Sequence, residues 1–259
     1  CGWLAAYCGS ALTSSEDLSF RNLGGKATQY RPVTIRSGIL TAVAKMTGVS
    51  SSAGMIIQHY DIRVSDSRGD VYSGTTYFGF FSKQALANQV GLRDAKVPWP
   101  AKDELDRAEK SILPYEPPFP GPMLRMVDRI EAFVPNGGKH GLGLVVGKIA
   151  ADPTFWFFQA HFFQDPVWPG SLGLESFLQL LKYVAWRRWG NEKTPWQTVA
   201  LNAPHTWVYR GQVLPTDKEV IVLLEVTAVD DHNCRLSADG FLTVDGRVIY
   251  QMTDFSLEY

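Results

Sequence analysis

The sequence predicts an α+β fold made of two similar halves, in each of which a central helix packs against an antiparallel sheet. The first observation is an internal repeat, because short motifs near the N-terminus recur roughly 180 residues later. The second is a long apolar segment followed by strands in which apolar residues alternate. The recurring residues are Tyr30-Arg31 with Tyr209-Arg210, Thr47 and Val49 with Thr227 and Val229, and Val71, Thr76 and Phe78 with Val248, Thr253 and Phe255.

The repeat divides the chain into three regions. We expect residues 1–91 to form the first half, residues 92–118 a linker, and residues 119–259 the second half. Proline and charge are frequent in the linker, which indicates an extended connection with one short helix near Lys102.

The two halves differ at their start. The second half opens with residues 123–133, an Asn136-Gly-Gly hairpin turn and a strand over residues 142–151. At the repeat spacing Cys1 corresponds to Leu180, which lies within the apolar segment. We therefore expect the first half to lack its opening strands and part of its helix, and residues before Cys1 to supply them.

The apolar segment from Leu172 to Trp189 predicts the central helix of the second half. Ser171 is a suitable N-cap, and Pro169-Gly170 before it indicates a loop. Apolar residues occur all round this helix, so we expect its sheet to enclose it. Glu175 is then a carboxylate in an apolar place, where such a group usually has a partner or a catalytic task.

Charge and composition exclude several classes of function. The net charge is -1 and 20% of residues are charged, which gives no electrostatic reason to expect binding to nucleic acid or to a membrane surface. Cys1, Cys8 and Cys234 are too few and too scattered for a disulfide framework or a zinc site. The sequence shows no signal peptide and no apolar run of transmembrane length. It therefore indicates a cytoplasmic protein without a metal site.

One motif carries the chemistry: His161-Phe-Phe-Gln-Asp-Pro-Val-Trp-Pro-Gly-Ser-Leu-Gly-Leu-Glu175-Ser-Phe-Leu-Gln179. It resembles the hot-dog 3-hydroxyacyl-[acyl carrier protein] dehydratases, especially the dehydratase/isomerase branch. Glu175 to Gln179 is similar to the D/E-x-x-x-Q element of polyketide dehydratases. Together with the repeat, the linker and the 12% aromatic content, the motif most resembles the dehydratase region of polyunsaturated fatty acid synthases. The resemblance implies a double hot dog, of which the first is incomplete in this chain.

The resemblance also implies an activity, the dehydration of 3-hydroxyacyl thioesters on an acyl carrier protein to trans-2-enoyl thioesters, in fatty acid or polyketide-type synthesis. His161 would be the base that removes the C2 proton, and Glu175 the acid that protonates the departing hydroxyl. The backbone N–H groups of Gly170 and Ser171 would stabilise the thioester oxyanion. The supporting residues would be Val167, whose carbonyl holds the imidazole, Asp165 and Pro169, which shape the loop, and Gln179.

Partners follow from the same resemblance. The substrate would be carried on the phosphopantetheine of an acyl carrier protein, and no other cofactor is implied. The chain would work beside other domains of a multidomain synthase, and the resemblance leaves a homodimer open. Such sites are built across a pair of hot dogs, with the histidine from one and the acid from the other. His161 and Glu175 are therefore expected to belong to different half-sites.

Several alternatives remain at this point. The isomerising branch usually has Asp where Glu175 stands, so double-bond isomerisation stays open. A hot-dog acyl thioesterase and a non-catalytic acyl-binding or scaffold module are the rival functions. Outside its motif His161 would more often be a structural residue. The remaining histidines, for which the sequence predicts structural roles, are His59, His140, His205 and His232.

Overall fold

The computed structural model of the chain describes residues 1–52, 54–116, 119–190 and 199–258. Within these ranges the helices are α1 (Gly2–Tyr7), α2 (Lys83–Ala87), α3 (Lys102–Arg107), α4 (Trp156–Ala160) and α5 (Gly170–Trp189). The strands are β1 (Leu18–Gln29), β2 (Thr41–Ser52), β3 (Met55–Asp66), β4 (Gly69–Ser82), β5 (Glu109–Ile112), β6 (Arg129–Val134), β7 (Leu144–Ala150), β8 (Pro204–Tyr209), β9 (Glu219–Asp230), β10 (Arg235–Val244) and β11 (Arg247–Glu258). Two short 3-10 turns cover Ser10–Thr13 and Pro122–Leu124.

The described strands form one antiparallel sheet, in the order β2-β3-β4-β1-β8-β11-β10-β9-β7-β6-β5. The four strands β2-β3-β4-β1 have the same order as β9-β10-β11-β8, and the two sets meet where β1 pairs with β8. That pairing runs from Gly24 opposite Val208 to Thr28 opposite Pro204. The repeated motifs lie in equivalent strands, for example Val71 on β4 and Val248 on β11. The predicted α+β double hot dog is therefore confirmed.

The second half encloses α5, as the sequence predicts. Phe177, Leu180 and Leu181 of this helix are fully buried, and α5 contacts β7, β9, β10 and β11. A Cβ atom on Gly173 would lie 2.8 Å from Cδ1 of Tyr250, so the missing side chain allows the helix to approach the sheet this closely.

The start of α5 differs from the prediction, because its N-cap is Pro169 and Ser171 lies inside the first turn. The carbonyl oxygen of Pro169 accepts hydrogen bonds from the N–H groups of Leu172 (3.0 Å) and Gly173 (3.3 Å). The chain therefore turns into the helix directly after Pro169. The hydroxyl of Ser171 has no capping role, and its side chain is exposed.

The first half has a much smaller core. Its helix α1 has six residues, and the buried Ala5 packs with Ile56, Tyr60 and Phe80 of β3 and β4. Strand β2 is exposed along most of its length, whereas its counterpart β9 is largely buried. In the described part of this half, no helix comparable to α5 crosses the sheet.

The predicted linker, residues 92–118, is more structured than the sequence indicates. It contains the expected short helix, α3, but residues 109–112 form β5, which pairs with β6 at the edge of the second half. The residues of β5, Glu109–Ile112, include a single apolar side chain, so no apolar/polar alternation marks them as a strand. The boundaries at residues 91 and 118 stay predictions.

Candidate functional site

His161 follows α4 directly and is held by three hydrogen bonds. Its backbone N–H donates to the carbonyl of Phe157 (2.9 Å), and its own carbonyl accepts from the N–H of Val167 (2.8 Å). The ring nitrogen Nδ1 lies 2.9 Å from the carbonyl oxygen of Val167. Since a carbonyl only accepts, Nδ1 carries the proton in this arrangement. The neutral ring then presents an unprotonated Nε2, which is the form that a general base requires.

The imidazole borders two adjoining cavities that share lining residues and are together called the His161 cavity; their walls come from both halves. The first half contributes Asn22 on β1 and Phe78 on β4, and the second contributes Gly170 and Tyr209. The seam between β1 and β8 passes through this region. A molecule bound beside His161 would therefore touch both hot dogs.

The N-terminus of α5 opens into the same cavity, because Pro169, Gly170 and Ser171 line it. The first N–H groups of a helix have no partner within the helix. Among the described residues, the N–H groups of Gly170 and Ser171 donate to no protein atom. They lie at the positive end of the helix dipole, so they can stabilise an oxyanion.

Glu175 and Gln179 lie elsewhere on α5. Glu175 is half-buried, and its Oε1 accepts a hydrogen bond of 2.9 Å from Nε2 of Gln179. Gln179 is fully buried, and its amide also donates to the carbonyl of Leu124 (2.7 Å) and accepts from the N–H of Met126 (3.0 Å). Neither side chain is among those lining the His161 cavity. The structure thus brings together His161 and the helix N-terminus, while Glu175 is hydrogen-bonded to Gln179 and not to His161.

Asp165, expected only to shape the loop, forms an ion pair with the other half. Nη1 and Nη2 of Arg21 donate to its two carboxylate oxygens at 2.7 and 2.6 Å, and Nε of Arg21 donates to Gln212 at 2.8 Å. These hydrogen bonds from Arg21 are the main cause that holds the pKa of Asp165 below its usual value. The sequence gives no signal for this contact, because Arg21 is 144 positions away in the chain.

The cavity also contains residues that the motif did not indicate. His205, for which the sequence predicts a structural role, lines the cavity, and its buried Nδ1 has no hydrogen-bond partner among the described residues. Burial lowers the pKa of His205 and raises the pKa values of Tyr209 and Tyr250, so all three are neutral near pH 7. The two tyrosine rings stack with their centroids 4.1 Å apart. The sequence singled out Tyr209 only as part of the repeated Tyr-Arg pair, and not as a residue of the site.

The described residues contain no group of three or more His, Cys, Asp or Glu side chains arranged to hold a metal ion. None of their helices combines the length and the hydrophobicity that crossing a bilayer requires.

Comparison with known proteins identifies the family. A family model described as the FabA-like domain matches residues 119–253. The chain belongs to the FabA-like family. This membership confirms the predicted resemblance to hot-dog dehydratases, and the matched region is the one that contains His161 and α5.

A relative of this FabA-like chain extends the comparison. A polyunsaturated fatty acid synthase polypeptide from Thraustochytrium sp. (strain ATCC 26185 / S-3) is 30% identical over 98% of the chain. The chain spans only 19% of that relative's length.

Two solved structures are similar in fold. A hot-dog protein from Alicyclobacillus acidocaldarius has a TM-score of 0.53 with 12% identity, covering 98% of this chain and 84% of that one. An acyl-CoA thioesterase II from Mycobacterium marinum has a TM-score of 0.50 with 13% identity, covering 93% of this chain and 81% of that one.

Proposed function

We propose that this chain dehydrates 3-hydroxyacyl thioesters carried on an acyl carrier protein and yields trans-2-enoyl thioesters. The observation that carries the proposal is the position of His161 beside the free N–H groups at the start of α5. Dehydration needs a base for the C2 proton and donors for the thioester oxygen, and these two parts border one cavity. Membership of the FabA-like family supports the same reaction.

The reaction begins at C2. Nε2 of His161 takes the C2 proton, and the negative charge that develops on the thioester oxygen is stabilised by the N–H groups of Gly170 and Ser171. The C2–H electron pair forms the C2–C3 double bond as the C3–O bond breaks. The departing hydroxide takes a proton from a carboxylic acid and leaves as water. The proton on His161 then returns to the carboxylate, which restores both groups.

In this proposal Glu175 is the acid of a half-site other than that of His161, and the carboxylic acid that works with His161 comes from the opposite hot dog. The hydrogen bond from Gln179 keeps the carboxyl of Glu175 on its own side of α5. Val167 fixes the imidazole through Nδ1, Asp165 anchors the loop, and Pro169 starts the helix that presents the oxyanion donors.

The partners belong to the same proposal. The phosphopantetheine of an acyl carrier protein would bring the acyl chain to the seam between the halves, and no further cofactor takes part. The chain would act in the cytoplasm beside other domains of a multidomain synthase, as the name of its relative suggests.

The test is turnover of 3-hydroxyacyl carrier protein by the protein in its full natural length, followed by mass spectrometry. Dehydration is measured as loss of one water from the carrier-bound chain. We expect His161→Ala to abolish it and Glu175→Gln to impair it strongly, while both variants keep the wild-type circular dichroism spectrum. Wild-type turnover in His161→Ala would refute the assignment of the base.

The same assay separates the rival functions. A thioesterase would release a free acid and leave an unloaded carrier protein, and a scaffold would leave the substrate unchanged. Incubating the enoyl product further and resolving the 2-enoyl and 3-enoyl isomers by chromatography shows whether isomerisation follows dehydration.

A further inference from the structure

The loop that carries His161 is anchored by the opposite hot dog. Within the loop, the N–H of Phe162 donates to the carbonyl of Asp165 (2.9 Å), and the N–H of Asp165 donates back to Phe162 (3.2 Å). This tight turn carries the Asp165 carboxylate, which accepts hydrogen bonds from both terminal nitrogens of Arg21. The Arg21 side chain is only 8% exposed and comes from β1 of the first half.

The guanidinium of Arg21 donates four hydrogen bonds. Besides Asp165 it contacts the side-chain oxygen of Gln212 through Nε and the carbonyl of Phe20 through Nη1 (3.0 Å). Gln212 lies just beyond β8 and lines the same cavity. Arg21 therefore connects β1 to two segments of the second half, one of which carries His161. A planar bidentate contact of this kind fixes orientation, which the single ammonium of a lysine cannot do.

The pair also dominates the charge around His161. Among the described residues that line the cavity or form the loop, the titratable or charged side chains other than His161 are Asp165 on the loop, Arg21 on β1, Tyr72 on β4, His205 and Tyr209 on β8, and Tyr250 on β11. Burial raises the pKa values of the three tyrosines and lowers that of His205, so all four are neutral near pH 7. Arg21 and Asp165 are then the charged members of this set, and their charges largely cancel.

From these contacts we propose that Arg21 is a positioning residue for His161: it fixes the loop of the second hot dog from the first and neutralises Asp165, so that the imidazole stays available as a base. This inference rests on the proposed function of His161. It assigns a role in the reaction to a half of the chain that the family model does not cover.

The proposal predicts opposite effects for the two partners. In Arg21→Met the Asp165 carboxylate is no longer neutralised, and it favours the protonated imidazole. The titration midpoint of the His161 ring in this variant should then lie above that of the wild type. In Asp165→Asn the guanidinium remains alone and disfavours the protonated ring, so the midpoint should move down. The double variant should return close to the wild-type midpoint.

The midpoints are read by NMR from histidine ring signals, and the His161 signal is identified by its loss in His161→Gln. In the dehydration assay, Arg21→Met should lower kcat about tenfold to a hundredfold, because the base loses its fixed position. The acidic limb of the kcat–pH profile of Arg21→Met should move to higher pH. Arg21→Lys keeps the positive charge but loses the bidentate contact. It should therefore restore the His161 titration midpoint to its wild-type value but recover only part of kcat.

Arg31 offers a matched control in the same half. It makes a bidentate contact with Asp66 at 3.1 and 2.7 Å and is not among the residues that line the His161 cavity. Arg31→Met should leave both the His161 midpoint and kcat at wild-type values.

Two results would overturn the proposal: an unchanged His161 midpoint in Arg21→Met, or an equal change in Arg31→Met. Absence of dehydration by the wild type would refute the proposed function, while the NMR titration would still decide the role of Arg21.

Discussion

Replacing Gln179 by methionine tests how the buried amide of α5 holds the start of the second hot dog. The substitution keeps the length of the side chain but removes its hydrogen bonds to Leu124, Met126 and Glu175. The N–H of Met126 stays buried without a partner, which costs about 1–3 kcal/mol. Leu124 and Glu175 are partly exposed, so water can replace their lost bonds at lower cost. The apolar side chain offsets part of the total, which leaves a loss of about 2 kcal/mol.

Urea denaturation followed by tryptophan fluorescence measures this loss as a lower midpoint with an unchanged slope. The control is Gln84→Met on α2, where the side chain is exposed and the change should stay within about 0.5 kcal/mol. A midpoint for Gln179→Met no lower than that of Gln84→Met would refute the reasoning. The three hydrogen bonds would then contribute nothing to stability.

Three further predictions concern packing and pH. Gly173→Ala should lower the free energy of unfolding by about 1 kcal/mol or more, because its Cβ would lie 2.8 Å from the ring of Tyr250, whereas Gly121→Ala, with no atom within 4 Å, should be close to neutral in thermal melts. The folded-state pKa of Asp165 is lowered, so the stability that wild type gains over Asp165→Asn should be full above about pH 4 and shrink as the pH falls through that lowered pKa, which acid titration of urea midpoints measures. The folded-state pKa of His205 is also lowered, so the destabilisation due to protonation of its unfolded form should begin near pH 6.5 and grow as the pH falls, and His205→Phe should remove this dependence.

The sequence predicted those parts of the fold that depend on local pattern and repetition. Alternating apolar residues marked the paired strands. The repeat identified β4 and β11 as equivalent strands of the two halves, which the order of strands in the sheet shows. β5 was not predicted because its four residues contain one apolar side chain and no alternation, and its pairing with β6 depends on tertiary contacts. Helix α5 begins two positions earlier than predicted, because the Pro169 carbonyl, not the Ser171 hydroxyl, accepts from the first-turn N–H groups of Leu172 and Gly173.

The site divides in the same way. The link between His161 and Val167 lies within one loop, and the resemblance implied it from residues six positions apart. Arg21 and His205 could not be predicted from a local motif, because their place in the site depends on how β1 pairs with β8. Both residue types occur in many strands without any such role. Long-range pairing, which no local pattern encodes, decided which of them reach the cavity.

The geometry of α5 explains why His161 and Glu175, the proposed base and acid, do not meet within one half. Successive residues of a helix are about 100° apart, so Glu175 points away from Leu174, which lines the His161 cavity. Gln179 lies one turn after Glu175 on the same face of α5, and its hydrogen bond to the Leu124 carbonyl holds this face against the segment at Leu124. The N-terminus of α5 therefore faces the His161 cavity, whereas the side-chain carboxyl of Glu175 lies on another face of the helix. A dehydration that needs both groups on one substrate must therefore take the partner of His161 from across the seam, on the side where β1 already supplies Arg21.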